Sequence, residues 1–300
     1  MAVIALVTAK GSAGATASAA ALALNSRRPV LLAECDLAGG SLRHGLLRDV
    51  PRGPGERLDG NIGLHHLPQA DWERTGADDD FTPQVAHHLW PMDDSDYRVA
   101  LPGLTDPRQA ASLTSTWPTL LNVLQLTDQQ LGWDVLVDGG RIVLDGGRLH
   151  PVLTPAPLLR QADLVLLVVR TTEEAHSLAY PMLQALRADL AAQGTGEQAV
   201  GILSLGGEYR TSEVSHALKA PVLASLPWDE PAAAYLRTGG RMARGLARSR
   251  LMRAARDAMG PLREHADRRR LHLQMRAVQA ASPGVARVVQ QLGARAVQHG

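Results

Sequence analysis

The sequence has little cysteine, little lysine and no long apolar run. One cysteine, Cys35, among 300 residues excludes a disulfide framework and is typical of a reducing compartment. Only two of the 31 basic residues are lysines, Lys10 and Lys219. The opening apolar run of residues 1–8 has no basic residue before it, and no later run approaches the roughly 18 residues of a membrane-spanning helix. We therefore expect a soluble, cytoplasmic protein, long enough to bury an α/β core.

Charge is distributed unevenly along the chain. Residues 237–300 contain 14 Arg against Asp257, Glu264 and Asp267, a net charge of +11, so residues 1–236 carry −10 of the overall +1. An asymmetry of this size is typical of an interaction surface or arm. We rank protein docking or self-assembly through these C-terminal helices first, DNA contact second and a membrane surface third, because the helix expected at 284–297 has no Trp or Phe to insert.

Short apolar runs rich in Val, Leu and Ile alternate with segments of helical pattern. The runs are continuously apolar, as strands buried on both faces should be. This rhythm predicts βαβ units and a doubly wound, mostly parallel sheet of about seven or eight strands. Strands are expected at 2–8, 29–34, 133–138, 163–169, 199–205 and 221–227, with weaker candidates at 62–68 and 97–103. Helices are expected at 16–26, 107–129, 173–193 and 211–218.

Two regions depart from this rhythm. Residues 68–96 are rich in Asp and Pro and predict an irregular, acidic surface excursion. From about residue 243 the pattern is helical and rich in Arg, with Pro261 as a break or a new first turn. We therefore expect an α/β domain over residues 1–245 and an Arg-rich helical extension over residues 246–300.

A phosphate-binding loop is indicated by residues 9–16, AKGSAGAT, between the first strand and an Ala-rich helix. Small side chains allow backbone N–H groups to approach a phosphate, and the start of the helix adds the positive end of its dipole. The small residues of the loop are Gly11, Ser12, Ala13, Gly14 and Ala15. Thr16 would open the helix with a hydroxyl available to Mg²⁺. A plain strand-to-helix turn has a similar composition, and the place after the first strand favours the nucleotide loop.

The loop and the order of elements resemble the MinD/ParA family of P-loop ATPases over roughly residues 1–245. The family's loop reads K-G-G-x-G-K-[TS], and this chain reads K-G-S-A-G-A-T from Lys10 to Thr16. The resemblance implies the fold of that family, with ATP and Mg²⁺ held by the loop and Mg²⁺ at Thr16. It also implies a homodimer in which Lys10 reaches the partner's nucleotide. The family's phosphate-gripping lysine is replaced by Ala15.

The resemblance extends to two acids that follow predicted strands. LLAECDLAGG resembles the family's D-x-D switch, with Glu34 first and Asp36 second, and implies that Asp36 helps to place the attacking water. A turn or helix cap is the alternative role for Asp36. WDVLVDGG resembles the strand whose terminal acid, here Asp138, holds Mg²⁺ through water. The family usually continues with Pro and Gly, whereas Gly-Gly-Arg follows here at 139–141.

The missing lysine determines how active the protein can be. A P-loop lysine places positive charge at the β- and γ-phosphates, where negative charge concentrates during transfer. Its replacement by Ala15 predicts weak nucleotide binding and at most a slow ATPase, with Lys10 as a partial substitute. The family's base-reading Asn is absent as well, because the strand at 199–205 is followed by two glycines.

The degenerate loop is similar to that of the CpaE/TadZ-like branch of the family and of septum-site-determining-like proteins, which act as localisation or scaffold factors. Three functions stay open. One is a slow ATP-dependent dimer switch for partition, septum placement or pilus assembly, favoured by the retained residues Lys10, Thr16, Asp36 and Asp138. The second is a nucleotide-free scaffold, favoured by Ala15 and Ser12. The third is a DNA-binding, partition-like protein whose basic end contacts phosphates without sequence preference.

Overall fold

Continuous apolar runs form the strands of one central sheet because each run is buried on both faces. The computed structural model describes residues 3–11, 14–74, 76, 80–239 and 245–281, with side chains as far as residue 275. The strands are β1 (Val3–Thr8), β2 (Val30–Glu34), β3 (Trp90–Pro91), β4 (Arg98–Leu101), β5 (Asp134–Arg141), β6 (Leu144–Asp145), β7 (Arg148–Leu149), β8 (Leu164–Arg170), β9 (Val200–Leu205) and β10 (Val222–Leu226). The helices are α1 (Ala15–Leu24), α2 (Leu67–Trp72), α3 (Thr82–His87), α4 (Trp117–Leu131), α5 (Ala156–Gln161), α6 (Glu173–Gln193), α7 (Thr211–Leu218), α8 (Glu230–Thr238) and α9 (Arg250–Ala281).

The central sheet has eight strands in the order β10-β9-β8-β1-β5-β2-β4-β3. All neighbours are parallel except β3, which pairs antiparallel with β4 at the edge. Strands β6 and β7 form a separate two-stranded hairpin. The predicted doubly wound, mostly parallel sheet is therefore confirmed, and β1, β2 and β5 end side by side in its middle.

Helices cover both faces of the sheet, and successive residues of β1 point alternately into the two helical layers. Val3, Ala5 and Val7 point into a core cluster built with α4, α5, α6 and α7. Ile4 and Leu6 point into the opposite cluster, built with α1, α8 and α9. Alternation at period two, with both faces apolar, explains why the strand reads as an unbroken hydrophobic run.

The Arg-rich segment after residue 245 folds back onto the α/β body. One face of α9 is buried in the second core cluster, through Leu251, Met252, Ala255, Met259, Leu262 and Ala266. Pro261 lies inside the continuous helix, so the predicted break at this residue is wrong. The division of the chain at residue 245 stays a prediction, and the helix expected at 284–297 lies outside the described residues. No helix in the described ranges is long and apolar enough to cross a bilayer.

Two arginines of α9 pair with aspartates of the body. Arg270 binds the carboxylates of both Asp128 and Asp163, with Nε 2.9 Å from Asp163 Oδ1. Arg263 lies 3.6 Å from the buried Asp134 carboxylate. Part of the charge asymmetry that predicted an external interaction surface is thus compensated within the chain. The arginines of α9 neutralise buried aspartates of the α/β body.

Two predicted elements differ from those observed. Residues 62–68 form no strand: a 3-10 turn at Leu64–His66 leads into α2, and the buried residues Leu64 and Leu67 have helical spacing. The single helix predicted at 107–129 is divided into a 3-10 helix, Pro107–Thr114, and α4. Pro118 explains the division, because a residue without an N–H group is tolerated only in the first turn of a helix.

The interval 68–96 is more ordered than the prediction of an irregular excursion. It contains α3 and β3 together with most of α2, and it buries Phe81, Val85, Trp90 and Met92. The Trp90 indole donates a hydrogen bond to the Val50 carbonyl at 2.7 Å, which ties the edge strand to the body. Residues 75 and 77–79, which include part of the acidic run, lie outside the described residues.

Candidate functional site

The loop between β1 and α1 starts at the carboxyl end of a central strand. Gly14 is the N-cap of α1 and has a φ of 95°, in the left-handed region that favours glycine. A Cβ on Gly14 would come 2.7 Å from the Leu205 side chain at the end of β9, so the position also lacks room for a larger residue. The unpaired backbone N–H groups at the start of α1 therefore lie at the sheet edge where ligands of open α/β folds bind.

A cavity of about 410 Å³ opens at this edge, within the size range of ligand pockets. Its lining residues come from the loop and α1, from the ends of β2 and β5, and from the segment that leads from β10 into α8. Of the predicted nucleotide-binding residues, the cavity is lined by Gly11, Gly14, Ala15 and Thr16. Ser12 and Ala13 lie outside the described residues. Ala15 is buried and brings only a methyl group to the cavity lining.

Asp138 is completely buried beneath the cavity and is not one of its lining residues. Its Oδ1 accepts a hydrogen bond from the Gly140 N–H at 3.1 Å, whereas Oδ2 has no hydrogen-bond partner in the described part of the chain. Burial raises the pKa of Asp138 to about 7 against the opposing effect of the Thr16 hydroxyl, and Asp36 and Glu34 add to the rise. A buried carboxylate with an unsatisfied oxygen is a group that a bound cation would stabilise.

Asp36 lines the cavity and lies half-buried just after β2. Its Oδ1 accepts a hydrogen bond from the Ala38 N–H at 2.9 Å, which is the turn-forming role that the sequence left as an alternative. Burial raises the pKa of Asp36, whereas the Ala38 N–H and the charge of Arg141 lower it. No hydrogen bond among the described residues occupies Oδ2, so the turn leaves one carboxylate oxygen for a ligand.

Glu34, the first acid of the predicted switch, is used by the backbone instead. Oε1 accepts the N–H groups of Ser41 at 2.6 Å and Leu42 at 2.9 Å, and Oε2 accepts that of Gly103 at 2.8 Å. Burial raises the pKa of Glu34 and these three N–H groups oppose the rise. The carboxylate ties the segment after β2 to the end of β4, so its role is to shape the cavity wall.

Lys10 lies outside the main cavity, beside a smaller one of about 200 Å³ next to β8 and α6. Its Nζ lies 2.7 Å from Glu174 Oε1, with the two side chains 65% and 71% exposed. Solvent screens such an exposed ion pair strongly, so a stronger anion would displace Glu174 at little cost. The position predicted to reach across a dimer thus lines the smaller cavity and not the main one.

Arg141 enters the cavity through an irregularity that sequence spacing did not reveal. Leu6 pairs with Asp138 and Thr8 with Arg141, so β5 has one residue more than β1 between the two pairs. A bulge of this kind re-aims the side chain that follows it. Arg141 therefore lines the cavity beside the end of β1, and the only sequence signal was the departure from the family at 139–141.

Trp228 is a second lining residue that the sequence did not single out. The Trp228 indole lies in the loop after Pro227, with its ring centroid 4.1 Å from the guanidinium carbon of Arg170. An aromatic face offers stacking to a purine without reading its hydrogen-bonding edge. The ring would partly replace the absent Asn as a contact for the base.

The residues present fit a Mg-nucleotide. Mg²⁺ prefers oxygen ligands, keeps several waters and takes one or two carboxylates together with nucleotide phosphates. The described residues hold no group of three or more His, Cys, Asp or Glu that would bind a metal alone, so phosphate oxygens would complete the set. The Thr16 hydroxyl would hold the ion, and the free Oδ2 of Asp138 would hold one of its waters. When bound, the ion would neutralise charge on the phosphates.

No family model matches the chain, and no curated protein matches it either. Solved structures match over most of both chains. The septum site-determining protein MinD from Pyrococcus horikoshii, complexed with Mg-ADP, has 17% identity and a TM-score of 0.62 over 89% of this chain and 98% of its own. A ParA family ATPase from Chlorobium tepidum has 14% identity and a TM-score of 0.59 over 85% and 97%. Cobyrinic acid a,c-diamide synthase from Mycobacterium smegmatis has 20% identity and a TM-score of 0.55 over 88% and 94%.

These similarities establish the architecture of the protein. An eight-stranded, mostly parallel sheet, with the loop from β1 into α1 at its middle, is the architecture of the P-loop α/β fold. More narrowly, the chain has the MinD/ParA-type fold. Because this fold also serves a synthase, the activity must be argued from the cavity residues.

Proposed function

We propose that the protein is a degenerate MinD/ParA-like positioning or scaffold factor that binds Mg-nucleotide weakly and hydrolyses it slowly at most. The observation that carries the proposal is Ala15, a buried methyl group at the family's lysine position, in a cavity that Thr16 and Asp36 also line. The positions of Thr16 and Asp36 in the cavity lining, with Asp138 buried next to them, support a Mg-nucleotide site, and Ala15 offers no cation for phosphoryl transfer. Binding without efficient turnover follows from this combination.

Isothermal titration calorimetry with ATP and ADP, with and without Mg²⁺, tests the proposal. We expect weak, Mg²⁺-dependent binding by the wild type and tighter binding by Ala15→Lys, because the added ammonium group would meet the phosphates. A phosphate-release assay should detect very slow or no turnover in the wild type. If neither protein produces binding heat, the chain is a scaffold that does not use nucleotide.

Dimerisation belongs to the same proposal. Lys10 does not line the main cavity, and among the described residues its ammonium group pairs with the exposed Glu174 carboxylate, an arrangement suited to reaching a second copy. Light scattering with and without Mg-ATP should show a dimer. The variant Lys10→Ala should weaken the nucleotide-dependent part of that dimer, and Lys219→Ala is the matched control. A monomer under all conditions would remove the cross-dimer role from Lys10.

The sequence of the loop, residues 10–16, favours a localisation or scaffold factor similar to CpaE/TadZ-like and septum-site-determining-like proteins. In that branch the fold presents a partner surface whether or not nucleotide turns over. A chain ending at residue 281 tests whether the last segment carries that surface. Loss of self-association or of protein partners in the truncated chain, with unchanged nucleotide binding, would support docking through the C-terminal helices.

Non-specific DNA binding is the second candidate function, and a basic groove favours it. The groove has a volume of about 500 Å³ and lies between α9 and the β9–β10 edge. Its lining includes Arg187, Arg268 and Arg269 together with His265 and His272, with no acid among the described lining residues. Arg187 and Arg269 donate to the backbone carbonyls of Lys219 and Asp163, which leaves their charge unpaired by a carboxylate there.

Fluorescence anisotropy with a random-sequence duplex tests this candidate between about 50 and 200 mM salt. The double variant Arg187→Ala/Arg268→Ala should lower affinity and flatten the salt dependence if the groove contacts phosphates. The matched control is the pair Arg253→Ala/Arg256→Ala, two exposed arginines of α9 that do not line the groove. Vesicles containing anionic lipid, assayed in parallel, test the membrane alternative. Salt-sensitive DNA binding that survives in the groove variant would move the contact elsewhere.

A further inference from the structure

The lining of the main cavity includes an arginine side chain close to the loop in which Ala15 replaces the family's lysine. Of the described lining residues, Arg141 and Arg237 are the two cationic ones. Arg237 enters from the last turn of α8, a helix that packs against α1. Arg141 pairs in register with Thr8, the last residue of β1, from which the loop begins. Arg141 is thus a cationic side chain whose position on β5 adjoins the start of the loop.

The backbone around Arg141 is shaped to bring it there. The bulge in β5 gives that strand one extra residue opposite Val7, and the Ile142 N–H still donates to the Thr8 carbonyl at 2.9 Å. Gly140 has a φ of +60° and lies against the Asp36 carboxyl. The strand therefore keeps its pairing on either side of the bulge while the arginine side chain reaches the lining of the cavity.

The Arg141 side chain is free to take a ligand. It is exposed, and it has no hydrogen bond and no ion pair within 4.0 Å in the described part of the chain. Its charge acts on Asp36, whose pKa it lowers, so it lies near the carboxylate that faces the cavity. A guanidinium without a fixed partner beside a phosphate cradle is suited to bidentate binding of phosphate oxygens.

We infer that Arg141 binds the phosphates of the nucleotide. From the end of β5 it supplies the positive charge that the family's lysine, replaced here by Ala15, would supply from α1. The inference rests on the proposed nucleotide site and names a phosphate ligand within it. It explains how a loop without its lysine retains a use for Thr16 and Asp138. Arg141 binds as a fixed plane rather than as a mobile ammonium group, which favours holding the nucleotide over turning it over.

Calorimetry with Mg-ATP and Mg-ADP tests the inference on the full chain. Arg141→Ala should weaken both about ten- to a hundredfold, the worth of a charge-assisted contact, and Arg141→Lys should lose less. Ala15→Lys should restore affinity to the Arg141→Ala protein. Arg148→Ala, an exposed arginine on β7, is the control and should bind like the wild type. Thermal unfolding checks that each variant folds.

A double-variant cycle separates direct binding from an effect through Asp36. If Arg141 contacts phosphate, its loss should weaken binding by a similar factor in an Asp36→Asn background. A loss that disappears in that background, or Arg141→Ala binding like the wild type, overturns the inference and leaves the proposed nucleotide site intact. If the wild type gives no binding heat while Ala15→Lys binds nucleotide, the inference is overturned and the nucleotide-free scaffold is favoured. If neither protein gives binding heat, the nucleotide site itself is overturned.

Discussion

The Asp36 carboxyl lies directly against the Cα of Gly140, so that a Cβ on Gly140 would come 2.2 Å from Asp36 Cγ. The contact joins the ends of β2 and β5 at the cavity and brings Asp36 close to the buried Asp138. Two neighbouring carboxyl groups repel each other when both are charged, so a cation bound at this junction would relieve the repulsion.

Replacing Gly140 by alanine should displace Asp36 and destabilise the protein by about 2–4 kcal/mol, from a steric clash added to a left-handed φ of +60°. Gly146→Ala is the matched control, because Gly146 has a φ of +54° and nothing within 4 Å of its Cβ position. Urea unfolding measures both variants. Equal losses would show that backbone strain alone sets the cost and that the Asp36 contact contributes nothing.

Stability should fall as pH rises through the titration of Asp138. The folded-state pKa of about 7 lies above the ordinary value of 3.8, so the folded protein holds a proton that the unfolded chain releases. Between about pH 4 and 7 the wild type should lose up to about 1.4 kcal/mol per pH unit relative to Asp138→Asn. Urea unfolding at pH 5 and pH 8 measures the difference.

Asp145→Asn, an exposed change on β6, is the control for that pH dependence. Added Mg-nucleotide should reduce the loss at high pH, because a cation stabilises the charged carboxylate. A wild type and an Asp138→Asn variant with parallel stability curves would show that Asp138 titrates near its ordinary pKa.

Glu34→Gln should destabilise the protein by about 2 kcal/mol, because an amide group must place N–H donors against backbone N–H groups that now bind carboxylate oxygens. The segment after β2 should loosen first, visible as faster hydrogen exchange at Ser41 and Leu42. Glu197→Gln, at an exposed position, should be neutral within about 0.5 kcal/mol. Unchanged exchange at Ser41 would contradict the structural role of Glu34.

Removing Arg270 should destabilise the fold by about 3 kcal/mol, because Asp128 and Asp163 would remain buried without their cation. Arg256→Ala, exposed on the same helix, should change little. Thermal or urea unfolding of the two variants makes the comparison. Similar effects would mean that α9 is held by its apolar face alone.

Much of the fold followed from local pattern, and the exceptions have local causes. Strands β1, β2, β4, β5, β8, β9 and β10 were anticipated, because burial on both faces leaves an unbroken apolar run. Helices α1, α6 and α7 matched the segments of helical pattern between those runs. The predicted strand at 62–68 was wrong because so short an apolar pattern, with Leu64 and Leu67, fits a strand or a helix. The tertiary contacts of the segment decide between the two. Strand β3 has only two residues and leaves no periodic signal.

The sequence by itself determined most of the order of elements and the small residues of the loop, with Ala15 where the family it resembles has a lysine, since spacing and residue identity are local properties. Only the tertiary structure decided that a bulge in β5 carries Arg141 into the cavity, that Glu34 serves the backbone, and that Lys10 turns to Glu174. An arginine that pairs with buried aspartates, such as Arg270, reads in sequence like one on a solvated helix face. The difference arises from contacts between residues more than a hundred positions apart, which no local pattern records.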